Sequence, residues 1–159
     1  MADQKPTEKR RVVAIVGRPN VGKSAVFNRL AGRRIAIVFE ESGVTRDRLM
    51  REVKWGDERF ELIDTGGICN MDGAVSKDTI EAAVRTQVDA ALADAAVALF
   101  IVDIQAGVMP MDLEVARLLR ESGVVTLVAA NKSDTAAKDK GAFEFEQFGF
   151  PVFPVSALH

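Results

Sequence analysis

Residues 17–24 read GRPNVGKS: a glycine, four residues, then Gly-Lys-Ser. The apolar run VVAIV at 12–16 stops at Gly17, and AVFNRL at 25–30 continues with apolar residues at helical spacing. The reading is a strand that enters a loop and a helix that leaves it, the setting that gives such a loop its chemistry. A triphosphate must be wrapped by backbone N–H groups, which only a loop with little side-chain bulk brings close enough. Gly17 and Gly22 supply that access, and Arg18, Pro19, Asn20, Val21 and Ala25 complete the cradle. Lys23 places an ammonium on the β- and γ-phosphates, Ser24 gives its hydroxyl to Mg²⁺, and the helix start adds partial positive charge.

The rest of the chain is consistent with a sheet built around that loop. Residues 51–55 and 59–63 alternate polar and apolar around Gly56-Asp57, which predicts a hairpin and one antiparallel strand at the sheet edge. Residues 97–102 and 124–130 are continuous apolar runs, as in parallel strands buried on both faces. Helices are expected over 80–92, 111–121 and 135–148, with a last short strand at 151–155. Strands alternating with helices predict an α/β fold, a doubly wound and mostly parallel sheet that binds ligands at the carboxyl ends of its strands.

Composition narrows the classes. With 159 residues and 48% hydrophobic content, the chain makes one domain with a sizeable core. Lys and Arg number 21 against 23 Asp and Glu, a net charge of −2, which argues against a broad basic surface for nucleic acid. Cys69 is the only cysteine, so no internal disulfide forms. Residues 1–10 read as a polar arm without a signal-like apolar stretch, and no apolar run approaches the roughly 20 residues of a membrane span. Together these point to the cytoplasm, with no membrane partner and no direct nucleic-acid contact by this domain.

Further signals fall after strands or in the long loop over residues 33–47. Asp64 closes its strand, where a carboxylate holds Mg²⁺ through water, and Gly67 offers an N–H to the γ-phosphate. Thr45 has a hydroxyl to complete the Mg²⁺ shell when the γ-phosphate is present, and its release would make a two-state switch. Asn131-Lys132-Ser133-Asp134 selects the base: a carboxylate accepts two hydrogen bonds from N1–H and the 2-amino group of guanine, and adenine lacks both donors. Lys132 is expected along the base plane, Asn131 ties this loop to the phosphate loop, and Ser156-Ala157 brace Asp134 and offer an N–H to guanine O6.

Taken in order, GRPNVGKS, Thr45, DTGG at 64–67, NKSD and SAL resemble the translation-factor-like GTPases. GVTRDR at 43–48 and LIDTGGI at 62–68 are similar to the first G domain of the Der (EngA) family of tandem-domain GTPases. The resemblance implies a P-loop, Ras-like G domain over residues 11–159 whose final helix lies beyond His159, with Thr65, Gly66 and Ile68 joining the nucleotide-binding set. It further implies GTP and GDP as ligands, Mg²⁺, a catalytic set of Lys23, Asn20, Thr45 and Gly67, and action on the large ribosomal subunit. Asn20 is implied as the ligand of a K⁺ that stimulates hydrolysis. Ala25 and Ser42 depart from that family's common Thr and Pro without removing a ligand. The leading reading is a GTP hydrolase; the alternatives are a guanine-nucleotide-gated binding module with negligible turnover, and an ATP-using enzyme, which Asp134 opposes.

Overall fold

A computed structural model describes residues 11–32, 49–55, 57–64, 77–135, 138 and 140–157. Thr45, Thr65, Gly66, Gly67 and Ile68, the arm over residues 1–10 and Cys69 lie outside the described residues.

The chain runs β1 (Val12–Val16), α1 (Lys23–Leu30), β2 (Leu49–Trp55), β3 (Glu58–Asp64), α2 (Lys77–Leu92), β4 (Val97–Asp103), α3 (Pro110–Ser122), β5 (Val125–Asn131), a 3₁₀ helix (Lys140–Phe148) and β6 (Val152–Pro154). The six strands form one sheet in the order β2-β3-β1-β4-β5-β6. Only β2 runs antiparallel, pairing with β3 from Leu49↔Asp64 to Trp55↔Glu58, so the hairpin expected from alternation forms the edge. The apolar runs become β4 and β5, which pair in parallel from Val97↔Val125 to Asp103↔Asn131.

Both faces of the sheet are covered, which is why its central strands are apolar without alternation. On one face α2 and α3 pack Val84, Val88, Val115 and Leu119 against Ala14, Val16, Phe100 and Val128. On the other, Val26 and Phe27 of α1 meet Ile15, Leu62, Ile101 and Ala129. Register places Phe153 beside Ala129, and Val125 lies two alternations before it on the same face. Phe153 and Val125 are nevertheless exposed.

The helix expected over 135–148 takes the 3₁₀ form from Lys140 to Phe148. The reason lies in its apolar spacing: Ala142, Phe145 and Phe148 recur every third residue, the period at which a 3₁₀ helix stacks its side chains, and all three are buried. Phe143 falls off that row and is exposed. Phe148 also lies 5.5 Å from Phe100, centroid to centroid, tying the segment to β4.

Candidate functional site

The carboxyl ends of β1, β3, β4 and β5 converge where the sheet reverses its strand order about β1, the place at which an open α/β sheet offers a crevice. At the end of β1 the chain turns through residues 17–22 into α1. Gly17 has a φ of +154°, and a Cβ there would come 2.6 Å from the Ile101 carbonyl oxygen, so close passage against β4 admits only hydrogen. Gly22 is left-handed at +96°, and its missing Cβ would meet Asn131 Nδ2 at 2.3 Å. Gly22 caps α1 without any side-chain acceptor, and the first turn has no acidic residue. No acidic residue of the helix's own first turn offsets its positive end, which fits an anionic ligand.

Lys23 is buried, and its Nζ donates to the Gly17 carbonyl oxygen at 2.6 Å, so its stem folds back over the loop. Ser24 Oγ donates to Asp64 Oδ2 at 3.3 Å. A hydroxyl and a carboxylate converging in this way are hard oxygen donors, the set Mg²⁺ prefers, and the two residues fit that ion. Arg18 reaches across to α3, its Nε 3.3 Å from Asp112 Oδ1 in the first turn of that helix. Asn20 is exposed, with a left-handed φ of 70° that asparagine tolerates better than most residues.

The second half of the site hangs from the end of β5. Asn131 is 3% exposed and fully employed: Nδ2 donates to the Val21 carbonyl at 3.0 Å, and Oδ1 accepts the Ala157 N–H at 3.1 Å. One side chain thus joins the phosphate loop, the NKSD loop and the loop after β6. Asp134 Oδ1 accepts from Ser156 Oγ at 3.0 Å, and Oδ2 lies 3.4 Å from Lys138 Nζ. Ser133 donates its N–H to the Val155 carbonyl at 3.0 Å, which fixes the NKSD loop to the strand end.

Sequence reading missed three contributors. Asp103, ending β4, ion-pairs with Lys132 at 2.8 Å; Gln105 Nε2 reaches the Lys132 carbonyl at 3.4 Å and Asp134 Oδ2 at 3.5 Å; Asp112 receives Arg18. For Asp103 a signal existed, since FIVD ends its strand in Asp just as ELID does. Burial would raise the Asp103 carboxyl, but the Lys132 hydrogen bond and the N–H groups of Gln105 and Ala106 outweigh it and hold it below the usual carboxylate range.

A glycine cradle, a Ser–Asp pair and an asparagine clasp thus come together at the carboxyl ends of the parallel strands. Residues 12–132 match the model of the 50S ribosome-binding GTPase family. The chain belongs to that family. The family is one of GTPases, and the sequence is similar to proteins named GTPase Der. The Der of Flavobacterium johnsoniae is 49% identical over 138 residues, covering 87% of this chain and 31% of the relative. The Der of Symbiobacterium thermophilum is 47% identical over 150 residues, covering 93% and 31%. The chain therefore spans about a third of the length of these relatives. Among solved structures, Aquifex aeolicus Era bound to GDP.AlF4⁻ superposes with a TM-score of 0.70 at 29% identity, covering 94% of this chain and 52% of Era. A probable GTP-binding protein, engB, matches at 27% identity with a TM-score of 0.64, covering 92% and 89%. Among the described residues no helix is long and apolar enough to cross a membrane.

Proposed function

We propose that this domain binds GTP and GDP with Mg²⁺ and hydrolyses GTP to GDP and phosphate. The observation that carries the reading is the clasp made by Asn131 between Val21 and Ala157, because it sets a phosphate cradle and a base-selecting loop at one fixed spacing. A nucleotide is the ligand class with a polyphosphate at one end and a hydrogen-bonding base at the other.

In this reading the backbone N–H groups of the loop over residues 17–25, other than Pro19 which has none, wrap the phosphates, and Lys23 exchanges the Gly17 carbonyl for phosphate oxygens. Ser24, and Asp64 through water, would hold Mg²⁺, with Thr45 as a further oxygen donor, and the ion would supply positive charge beside the phosphates. Gly67 offers an N–H to the γ-phosphate, with Thr65, Gly66 and Ile68 around it. Asp134 accepts from guanine N1–H and the 2-amino group, while Ser156 holds the carboxylate in orientation; the Ala157 N–H, the expected donor to O6, is here given to Asn131 Oδ1 and would have to exchange it for the base. Lys132 lays its stem along the base. The exposed Asn20 amide oxygen would be a ligand for K⁺, whose chemistry would be to add positive charge where the transition state gains negative charge.

We further propose that the protein acts in assembly of the large ribosomal subunit in the cytoplasm; the family's description as 50S ribosome-binding supports the ribosomal part of that reading. Two measurements test the proposal. Single-turnover phosphate release from GTP with saturating Mg²⁺ tests hydrolysis, and a GTP-bound protein that releases none would leave the gated binding module. Co-sedimentation of the full-length protein with large subunits in GTP and in GDP tests the ribosomal role, which loses its support if neither nucleotide gives binding.

A further inference from the structure

Two strand-ending aspartates flank β1, one on each side. Asp64 closes β3 and faces Ser24, while Asp103 closes β4 and belongs to none of the nucleotide motifs. Its side chain is 10% exposed, and both oxygens are committed. Oδ1 accepts the N–H of Gln105 at 2.8 Å and of Ala106 at 3.3 Å, and Oδ2 accepts Lys132 Nζ at 2.8 Å. Metal ligation is a poor account of such a carboxylate, and among the described residues no group of three or more His, Cys, Asp or Glu is arranged to hold a metal.

The same ammonium also donates to the backbone carbonyl of Asn20 in the phosphate loop, at 3.3 Å. Lys132 is therefore a bridge from β4 to the phosphate loop, launched from the end of β5. Its backbone is left-handed, with φ of 68°, a conformation that a residue with a side chain adopts only where its surroundings hold it. Gln105 adds a second hold by donating to the Lys132 carbonyl.

We propose that Asp103 is a positioning residue for guanine-nucleotide binding: its carboxylate holds the Lys132 ammonium against the Asn20 carbonyl, so that the base loop and the phosphate loop are spaced before a nucleotide arrives. The inference rests on the guanine-nucleotide reading above. A lysine on a four-carbon stem has much rotamer freedom to lose, and ordering it in the free protein removes that cost from binding. The competing account is that Asp103 only caps the turn at Gln105 and Ala106. The two differ in whether the effect of Asp103 passes through Lys132.

A double-mutant cycle separates them, using the full chain, a fluorescent N-methylanthraniloyl-GDP titration, and Asp103→Asn, Lys132→Met and the double variant. Removing a charge-assisted hydrogen bond predicts about tenfold weaker GDP binding for each single variant. The double variant should bind no worse than Lys132→Met alone. Independent losses that multiply in the double variant, or unchanged affinity in Asp103→Asn, would overturn the proposal. Absence of GDP binding by the wild type would instead overturn the nucleotide reading on which it rests. A second measurement stands if Asp103→Asn fails to fold: in ¹⁵N-labelled, nucleotide-free wild type, one lysine ammonium resonance should be protected from solvent exchange and vanish in Lys132→Met. Lack of any such resonance would also overturn it.

Discussion

Arg18 of the phosphate loop and Asp112 in the first turn of α3 approach to 3.3 Å, with the Asp112 side chain fully buried. Asp112 also accepts the Met109 N–H at 2.9 Å, so one carboxylate both caps α3 and faces the loop cation. Breaking a buried pair from one side leaves the other charge uncompensated, which costs about 3–5 kcal/mol. Arg18→Ala should therefore lower unfolding free energy by about 3 kcal/mol in denaturant titrations. A loss below about 0.5 kcal/mol, the size of an ordinary surface change, would mean that the pair is not a strut of the loop.

The two aspartates that sequence reading missed titrate in opposite senses. Burial pushes the Asp112 carboxyl up, more than the Met109 N–H and Arg18 pull it down. Its native form holds the proton more tightly than the unfolded chain, so its contribution to stability is present below the ordinary carboxylate value of 3.8 and is lost as pH rises through the raised value. Asp103 is held low, so its contribution is present above 3.8 and is lost as pH falls through the lowered value. Unfolding measured from pH 3 to 7 should show Asp112→Asn gaining on the wild type as pH rises, and Asp103→Asn falling behind. Parallel curves for either variant would contradict its assignment.

Gly22 is a site where a single methyl group should separate the two halves of the pocket. A Cβ there lies 2.3 Å from Asn131 Nδ2, the atom that donates to Val21, and the left-handed φ adds strain of about 1–3 kcal/mol. Gly22→Ala should lower stability by about that amount and weaken GDP binding by more than about tenfold, since 1.4 kcal/mol is a factor of ten. Wild-type affinity in this variant would show that the clasp is dispensable.

Asn20 carries the proposed monovalent-cation role. Arginine fingers contribute about 10³ to 10⁵ in rate, so a K⁺ that performs part of that work should be visible. Single-turnover GTP hydrolysis in KCl should exceed that in NaCl at equal ionic strength, and the difference should largely disappear in Asn20→Ala while GTP affinity stays similar. Equal rates in the two salts would reject the role for this domain.

What the sequence made legible was what depends on local pattern. The loop at 17–22 announces itself because glycines, a lysine and a strand-to-helix change must sit within a few residues of one another. The apolar runs of β4 and β5, the alternation of the hairpin and the helical spacing of α2 follow in the same way. Contacts between distant segments were less legible. Asp103–Lys132 and Arg18–Asp112 require the strand order, which no local window contains. The Asn131 tie to the phosphate loop was expected, because the motif fixes its place at a strand end beside that loop. The helix before β6 was legible but its 3₁₀ form was not, because phenylalanines at 143 and 150 obscured the three-residue period of Ala142, Phe145 and Phe148.

The central claim is guanine selectivity through Asp134, and a side-by-side titration of the wild type and Asp134→Asn with GDP, ADP and XDP tests it most directly. Asp134 accepts donors that guanine has and adenine lacks; in xanthine a carbonyl replaces the 2-amino group, and the amide of an asparagine can donate to it. A site built on hydrogen bonds rejects the analogue lacking them by as much as about 10⁴-fold. The account predicts that the wild type binds GDP at least about a hundredfold more tightly than ADP, and that Asp134→Asn loses GDP and gains XDP. Equal affinity of the wild type for GDP and ADP would contradict it.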